Sequence, residues 1–269
     1  MRSFILYITI LCFGTSLLQG AQQPLRVAVI GGMVMSGMWQ KVAESFEKTS
    51  TIPLELVVTG DKHELDRYCR SHEVDFVTMH SSDTIVDLTG DGLFEQLTPW
   101  VRNAQMIVGS VSNPAKVDSN DSLEQALQKI TTTHAPFLVH TSGGTFEVFS
   151  DLNAAYGFGS EHGSVTFTTG KQGFLRQIAD EGGYTLYGVI PFLMKKRHQN
   201  DLQGFMFEDK KLRRPYLAAI APAARIGTTR HNDAQKLLDF LTTEKTQNLI
   251  KNFRIERFEN TPVFFPLKP

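Results

Sequence analysis

Short apolar runs alternate with segments of helical periodicity along most of the chain. The first run, Leu25–Ile30, is rich in β-branched residues and ends at two glycines, which is typical of a buried parallel strand. After it, the apolar positions of 38–48 recur at the spacing of one helix face. A second strand is predicted at 53–58, a helix at 61–69 and a third strand at 74–79. This order of elements predicts an α/β domain built on a parallel sheet.

The same alternation continues to the C-terminus. Further strands are predicted at 106–111, 137–140, 184–189 and 216–220, and further helices at 122–130, 146–156, 174–180, 232–241 and 244–253. Small polar residues that can cap a helix N-terminus stand before three of the helices: Ser36, then Asp121 or Ser122, then Asn232 or Asp233.

The N-terminus has the layout of a cleavable secretion signal. Arg2 precedes an almost unbroken apolar run at 4–13, which is shorter than the roughly 20 residues that a bilayer-spanning helix needs. Gly20 and Ala21 offer a cleavage point. We therefore expect a signal peptide at 1–21 and a mature chain that works in the periplasm or as a secreted protein; the alternative is an uncleaved membrane anchor.

Charge and cysteine content narrow the possible partners. The 269 residues include 27 basic and 28 acidic ones, for a net charge of −1. This balance argues against nucleic acid as a partner, because nucleic-acid-binding surfaces need a basic excess. Cys69 is the one cysteine outside the signal, so the mature chain has no internal disulfide, and we expect Cys69 to be buried and inert.

Three predicted strands each run into a loop of small residues followed by a helix. These loops are Gly31–Gly37, His80–Thr84 and Thr141–Thr145. Ligands of open α/β sheets bind at the carboxyl ends of strands, where helix N-termini present free N–H groups. The loops therefore fit a site for a polar or anionic ligand, although glycines also serve simply to make tight turns.

Several segments of the chain resemble the periplasmic substrate-binding proteins of ABC importers, and the tungstate-binding group in particular. The resemblance is carried by Val74–Asp83, Asp121–Thr145, Ala179–Leu193, and Asn232–Phe253 with the following Phe264–Pro266. It implies a two-lobed α/β fold of the type II periplasmic-binding-protein class, with a mixed sheet in each lobe and two hinge crossovers. Lobe one would take 25–105 and 220–269, and lobe two 106–219. It further implies a monomer without cofactor or enzymatic activity, which passes a small solute to a membrane ABC permease.

The chain departs from the tungstate-binding group in its ligand loops. The Thr and Ser run of the first loop is replaced by Ile30–Met33, and His140 stands at the position of one family arginine. The second family arginine is also absent, because the segment after Thr185-Leu186 reads Tyr187-Gly188-Val189. We therefore expect a small anion, either an oxyanion such as tungstate or molybdate or a different one. A protonated His140 would strengthen its binding at low pH.

The candidate ligand-binding residues all lie in the strand-end loops or at the start of the Tyr-Thr-Leu segment. They are Gly32, Met33, Ser36, Gly37, His80, Ser81, His140, Thr141, Ser142, Gly144, Thr145 and Tyr184.

Two other functions are open to these residues. Met33, Met35, Met38, Met79 and His80 are soft donors that suit copper, so the chain could be an exported copper-binding protein, or the methionines could simply fill the core. A hydrolase-like enzyme would use Ser36 with His80 or His140, although no catalytic motif supports it.

The remaining charged residues fit structural positions. We expect solvated surfaces for Lys195–Arg197 and for the pair Arg213-Arg214, and caps or surface positions for Asp75, Asp83 and Glu147.

Overall fold

The structure of the chain is a computed structural model. The structure describes residues 22–141, 144–161, 163–170, 173–194, 200–255 and 261–267. The predicted secretion signal at 1–21, Ser142 and the basic run Lys195–Arg197 lie outside these residues.

Ten strands and twelve α-helices alternate along the described chain. The strands are β1 (Leu25–Ile30), β2 (Leu54–Gly60), β3 (Phe76–His80), β4 (Glu95–Ser110), β5 (Phe137–His140), β6 (Val165–Thr168), β7 (Tyr184–Gly188), β8 (Leu202–Phe205), β9 (Arg213–Ile220) and β10 (Phe264–Pro266). The helices are α1 (Gly31–Met35), α2 (Met38–Ser50), α3 (Lys62–Ser71), α4 (Asp83–Gly90), α5 (Leu123–Thr132), α6 (Gly144–Tyr156), α7 (Phe158–Glu161), α8 (Phe174–Glu181), α9 (Val189–Met194), α10 (Ala223–Ile226), α11 (Thr228–Leu241) and α12 (Glu244–Asn252).

The strands form two mixed sheets that share β4. In the first sheet the order is β2-β1-β3-β9-β4, with β10 also on β4; β1 is parallel to β2 and β3, and the other pairs are antiparallel. In the second sheet β7 and β8 lie antiparallel to β4, while β5 pairs in parallel with β6 and β7. The two-lobed α/β fold with a mixed sheet in each lobe is therefore confirmed.

The long strand β4 carries the chain from one sheet to the other. Its 16 residues pair with β9 up to Ala104 and with β7 from Gln105 onward. The return crossing precedes β9, because Arg213–Ile220 pairs entirely within the first sheet. The lobe limits remain a proposal, and this pairing favours a second boundary near Leu212 rather than at 219/220.

Side-chain caps account for the starts of α3, α5 and α12. The Ser122 hydroxyl accepts from the Gln125 N–H, and the Gln125 side chain accepts from the Ser122 N–H, so the predicted cap of α5 is confirmed. The other two predicted residues do not occupy the N-cap position. The N-cap of α2 is Gly37, which has φ 80°; the Ser36 hydroxyl donates to the Met33 carbonyl at 3.0 Å and accepts from the Met38 N–H at 3.5 Å. Helix α11 begins at Thr228, so Asn232 and Asp233 lie inside it.

The hydrophobic core is continuous across the crossing. One cluster joins Val27, Trp100 and Tyr216 of the first sheet to Leu138 and Ile190 of the second lobe. A smaller cluster fills the far face of the second sheet, under α5 and α6. Cys69 is buried in the first cluster, and burial raises the pKa of its thiol to about 12, which keeps it unreactive at neutral pH as predicted.

A buried ion cluster corrects the prediction that Asp75 is a cap or surface residue. Asp75 is fully buried, and it accepts from the Arg26 backbone N–H and from Arg230 Nη2, each at 2.7 Å. Arg230 also contacts Glu73 at 2.9 Å. This cluster ties β1 and the start of β3 to α11.

None of the helices in the described part of the chain has the length and apolar character needed to cross a bilayer.

Candidate functional site

A cleft of about 720 Å³ opens where the two sheets meet. Its walls come from the carboxyl ends of β1, β3 and β5, the starts of α3, α6 and α8, and the crossing segments of β4 and β9. The lining residues are Ile30, Gly31, Gly32, Met35, Gly60, Asp61, Lys62, His63, His80, Asn103, Gln105, His140, Gly144, Thr145, Gly173, Phe174, Leu175, Leu186, Tyr187, Gly188, Ile190, Pro191, Arg214 and Tyr216. This is the position at which open α/β sheets bind ligands.

Five polar side chains of β3, β4 and β9 face the cleft, because side chains alternate between the two faces of a strand. Asn103 lies opposite Arg214 across β4 and β9, and Tyr216 lies opposite His80 across β9 and β3. Residues two apart on a strand face the same side, so Gln105 shares the face of Asn103. The His80 and Tyr216 rings lie 4.2 Å apart, and Asn103 Nδ2 is 3.2 Å from both the His80 Nε2 atom and the Tyr216 hydroxyl.

Arg214 supplies a cation in the cleft, although the sequence suggested a solvated surface residue. It is 8% exposed, and its Nη2 donates to Glu147 Oε2 at 2.7 Å and to the Ser81 carbonyl at 3.4 Å. The guanidinium packs directly on Gly144, where a Cβ atom would overlap it. The ion pair joins β9 of the first sheet to α6 of the second lobe. Glu147 is therefore a partner of Arg214 rather than a simple surface residue.

Its neighbour Arg213 is also not a solvated residue. The Arg213 guanidinium lies 3.6 Å from the centroid of the Phe265 ring, and Nη2 donates to the Phe207 carbonyl at 3.4 Å. Arg213 thus stabilises the return crossing, because it bridges the segment before β9 and the C-terminal strand β10.

Lys62 adds a second cation to the cleft wall. It is the first residue of α3, whose N-cap Asp61 accepts from the His63 and Glu64 N–H groups. Burial lowers the pKa of the Lys62 ammonium, and the positive charge of Arg214 lowers it further. The second effect indicates that the two cations act on the same region of the cleft.

His80 is held in its neutral form at this site. Burial lowers the pKa of its imidazole well below 6.5, and the positive charges of Arg214 and Lys62 lower it further. A neutral ring suits its contact with Asn103 Nδ2, because the amide nitrogen donates and the unprotonated Nε2 accepts. His80 therefore contributes polarity and shape to the cleft, but not positive charge.

The structure brings part of the predicted site together. Five of the predicted residues line the cleft: Gly32, His80, His140, Gly144 and Thr145. The His140 ring meets the Phe174 ring edge-on at 5.6 Å. Ligand binding by these residues, and the expected effect of pH through His140, stay predictions.

Of the other predicted residues, those that the structure describes are not part of the cleft lining. Met33 is fully buried in the core, Ser36 bonds within its own turn, and Gly37 is the N-cap residue of α2. Ser81 and Thr141 hold the backbone together: the Ser81 N–H donates to the Pro215 carbonyl, and Thr141 donates to the Thr168 carbonyl. Ser142 lies outside the described residues.

Tyr184 serves the second lobe rather than the cleft. Its ring is fully buried, and its hydroxyl donates to Asn113 Oδ1 at 2.7 Å and accepts from the Ala115 N–H at 3.0 Å. Burial also raises the pKa of this phenol. The side chain therefore fixes the loop after β4 and has no free polar group for a ligand.

The geometry gives no support to the copper alternative. Met33, Met38 and Met79 are fully buried in the core, whereas Met35 is 56% exposed and lines the cleft. Within the described residues, no group of three or more His, Cys, Asp or Glu side chains is placed to hold a metal ion.

Comparison with solved structures agrees with this architecture. The tungstate-binding protein TupA from Desulfovibrio alaskensis G20 superimposes with a TM-score of 0.72 at 21% identity, covering 91% of this chain and 99% of that one. The tungstate ABC transporter structure from Geobacter sulfurreducens gives a TM-score of 0.66 at 20% identity, covering 86% and 99%. The fold is that of a type II periplasmic binding protein. The resemblance predicted from the sequence is thus confirmed at the level of fold.

The same fold also occurs outside transport. The CcmR regulatory domain from Synechocystis PCC6803, in complex with 2-PG, matches with a TM-score of 0.51 at 14% identity, covering 83% of this chain and 99% of that one. No protein-family model matches the sequence, and no curated protein matches it either. The fold alone therefore does not specify the solute, which depends on the chemistry of the residues that line the cleft.

Sequence reasoning missed Arg214, Lys62, Asn103 and Gln105. The sequence did contain a signal for Arg214. Arg214 stands two residues before Tyr216, so the two side chains lie on the same face of β9 if that strand begins at Arg213. Asn103 and Gln105 interrupt the apolar run of β4, and the prediction consequently began that strand at Met106. Polar residues that face a cleft weaken the hydrophobic pattern by which strands are recognised.

Proposed function

We propose that this protein is an extracytoplasmic solute-binding protein that captures a small anionic solute in the cleft. The solute would be passed to a membrane ABC permease, with the protein acting as a monomer and without enzymatic activity. The two similar structures named above are those of a tungstate-binding protein and a tungstate ABC transporter, so oxyanions of this kind belong to the candidate solutes.

The observation that carries this proposal is the guanidinium of Arg214 in the cleft wall. It offers a planar fork of N–H donors, which suits carboxylates and oxyanions. A charge-assisted hydrogen bond contributes roughly 1.5–3 kcal/mol, and every ~1.4 kcal/mol is a tenfold change in affinity. Arg214 thus offers a cation on β9 in a chain that lacks both arginines of the tungstate-binding group.

The proposed contacts come from both lobes. Lys62, His80 and Arg214 belong to the first sheet and its helices, whereas His140, Gly144 and Thr145 belong to the second lobe. A solute that touches both sets favours the closed arrangement, which is how ligands bias a hinge motion.

A thermal-shift screen followed by calorimetry tests the proposal. At 100 times its Kd a ligand stabilises a protein by ~2.7 kcal/mol, so a cognate anion should raise Tm by about 5–10 °C.

In the Gly144→Ala variant the new methyl group displaces the Arg214 guanidinium, which is the mobile end of a long side chain. We expect the variant to fold and to bind the same anion at least about tenfold more weakly.

Gly90→Ala is the matched control. Gly90 ends α4, and an added Cβ there meets nothing within 4 Å, so solute affinity should be unchanged. The proposal is wrong if no anion raises Tm, or if Gly144→Ala and Gly90→Ala bind the solute equally well.

A further inference from the structure

The cleft is much larger than a bare oxyanion needs. A tetrahedral oxyanion has five heavy atoms; at ~30 Å³ for each, the share of one liquid water molecule, it would fill about a fifth of the 720 Å³. This volume is not that of fully separated lobes, because the Arg214–Glu147 ion pair already joins them at 2.7 Å. Clefts of roughly 300–1,000 Å³ are typical of sites for larger organic ligands.

The second lobe covers its part of the cleft mainly with apolar side chains. Phe174 and Leu175 come from the start of α8, and Ile190 and Pro191 come from α9. The Phe174 ring also stacks on Tyr187 at 6.4 Å. A hydrated oxyanion has no apolar surface to bury against such a wall. An apolar solute would bury its own surface and that of the wall, and this burial favours binding.

A carboxylate already occupies one side of the Arg214 guanidinium. Glu147 Oε2 accepts from Arg214 Nη2 at 2.7 Å, and the Glu147 side chain is 53% exposed. Glu147 is not itself part of the cleft lining, whereas Arg214 is. The position of the guanidinium therefore allows it to bind a carboxylate group. Glu147 would compete with any solute anion for the same positive charge.

We infer that the solute is a carboxylate with an apolar body. Its carboxylate binds Arg214 in competition with Glu147, and its body packs on the wall of Phe174, Leu175 and Pro191. This inference rests on the proposed function, and it specifies the class of solute within the wider class of small anions.

Calorimetric titration with acetate, butyrate, hexanoate and phenylacetate tests the inference on the unaltered protein. Burying a methylene group contributes enough for affinity to rise about three- to fourfold per carbon along the aliphatic series. Tungstate, molybdate, phosphate and hexyl phosphate serve as comparison anions, and all should bind more weakly than hexanoate.

Two variants separate the body of the solute from its charge. Phe174→Ala should reduce the gain per methylene, whereas Phe146→Ala, which alters a half-exposed ring of α6 outside the cleft lining, should leave it unchanged. Glu147→Gln should tighten hexanoate binding by about two- to fivefold, because the half-exposed Glu147 carboxylate no longer competes for Arg214. Asp151→Asn removes the same charge one turn further along α6 and should have less effect.

The outcomes distinguish this inference from the proposed function. If tungstate, molybdate or phosphate binds and the carboxylates show no dependence on chain length, the inference is wrong and the proposed function stands. If hexyl phosphate binds more tightly than hexanoate, the carboxylate assignment is wrong. If none of these anions binds, both proposals fail. Equal affinities of Glu147→Gln and Asp151→Asn would contradict the competition at Arg214.

Discussion

His80 illustrates how its neighbours decide what a residue contributes to this cleft. An imidazole at the end of a strand could serve as a cation, a base or a metal ligand. Here the ring packs against Tyr216, and Arg214 and Lys62 add positive charge to the same region. These surroundings disfavour the imidazolium, so the positive charge of the site comes from the arginine and lysine side chains.

Acid should therefore destabilise the protein through His80. Its folded-state pKa lies well below the ordinary 6.5, so the unfolded chain takes up a proton below pH 6.5 while the folded one does not. The corresponding stability is fully present above pH 6.5 and is lost progressively as the pH falls below that value. We expect His80→Gln to flatten this part of the pH profile, measured by urea unfolding between pH 7.5 and 5.

The control for this profile is His134→Asn. His134 is exposed in a turn with φ 51°, a conformation that asparagine tolerates, so the acid loss of stability should persist. An unaltered slope in His80→Gln would show that other groups cause the acid sensitivity.

At the scale of elements, β4 and α5 have different roles. β4 runs through both sheets and presents Asn103 and Gln105 to the cleft, so it links the stability of the fold to the site. α5 covers the far face of the second sheet and contributes no residue to the cleft lining. Its start depends on the Ser122 capping box, which satisfies two backbone N–H groups at the helix end.

Ser122→Ala should consequently lower stability without changing solute affinity. Loss of the cap costs about 1 kcal/mol, or about 2–4 °C in Tm for a chain of this size. Ser150→Ala is the matched control, because the Ser150 hydroxyl only bonds back to the Phe146 carbonyl in the middle of α6. A drop in Tm of the same size in both variants would contradict a specific role of the cap.

At the scale of the whole molecule, the continuity of the core limits the independence of the lobes. The larger hydrophobic cluster includes Val27 and Trp100 from the first sheet and Leu138 and Phe174 from the second lobe. Two lobes that shared only a linker would unfold separately, whereas residues packed in one cluster lose their contacts together.

Calorimetry should therefore show a single unfolding transition with a calorimetric enthalpy close to the van't Hoff enthalpy. Leu138→Ala, in the buried strand β5, should lower the whole transition by the equivalent of about 2–5 kcal/mol. Leu56→Ala, at a 40% exposed position of β2, is the control and should change it little. Two resolved transitions, with only one moved by Leu138→Ala, would show that the lobes unfold independently.

The elements themselves were largely predictable from local pattern. β1, β5 and α2 lie where apolar spacing placed them, because an amphipathic repeat and a run between glycines are local properties. The first half of β4 was missed. It contains Pro99 and register shifts, and its later polar residues face the cleft rather than the core.

The candidate site was only partly predictable. Strand ends with small residues located His80, His140 and Gly144 at the cleft, because parallel strands bring their carboxyl ends to one edge of a sheet. Met33 and Tyr184 stand in the same segments, yet their side chains point into the core. Sequence position places a residue near a site, but only the direction of its side chain decides whether it reaches the cleft.

The sequence by itself determined the α/β class, most of the long helices and buried strands, and the resemblance to type II periplasmic binding proteins, since these depend on periodicity and short motifs. The tertiary structure alone decided that Arg214 supplies a cation in the cleft and that Glu147 is its partner. The two residues stand 67 positions apart and meet only when β9 and α6 pack together. Long-range packing leaves no local pattern, and so the charge of this cleft follows from the fold rather than from any motif.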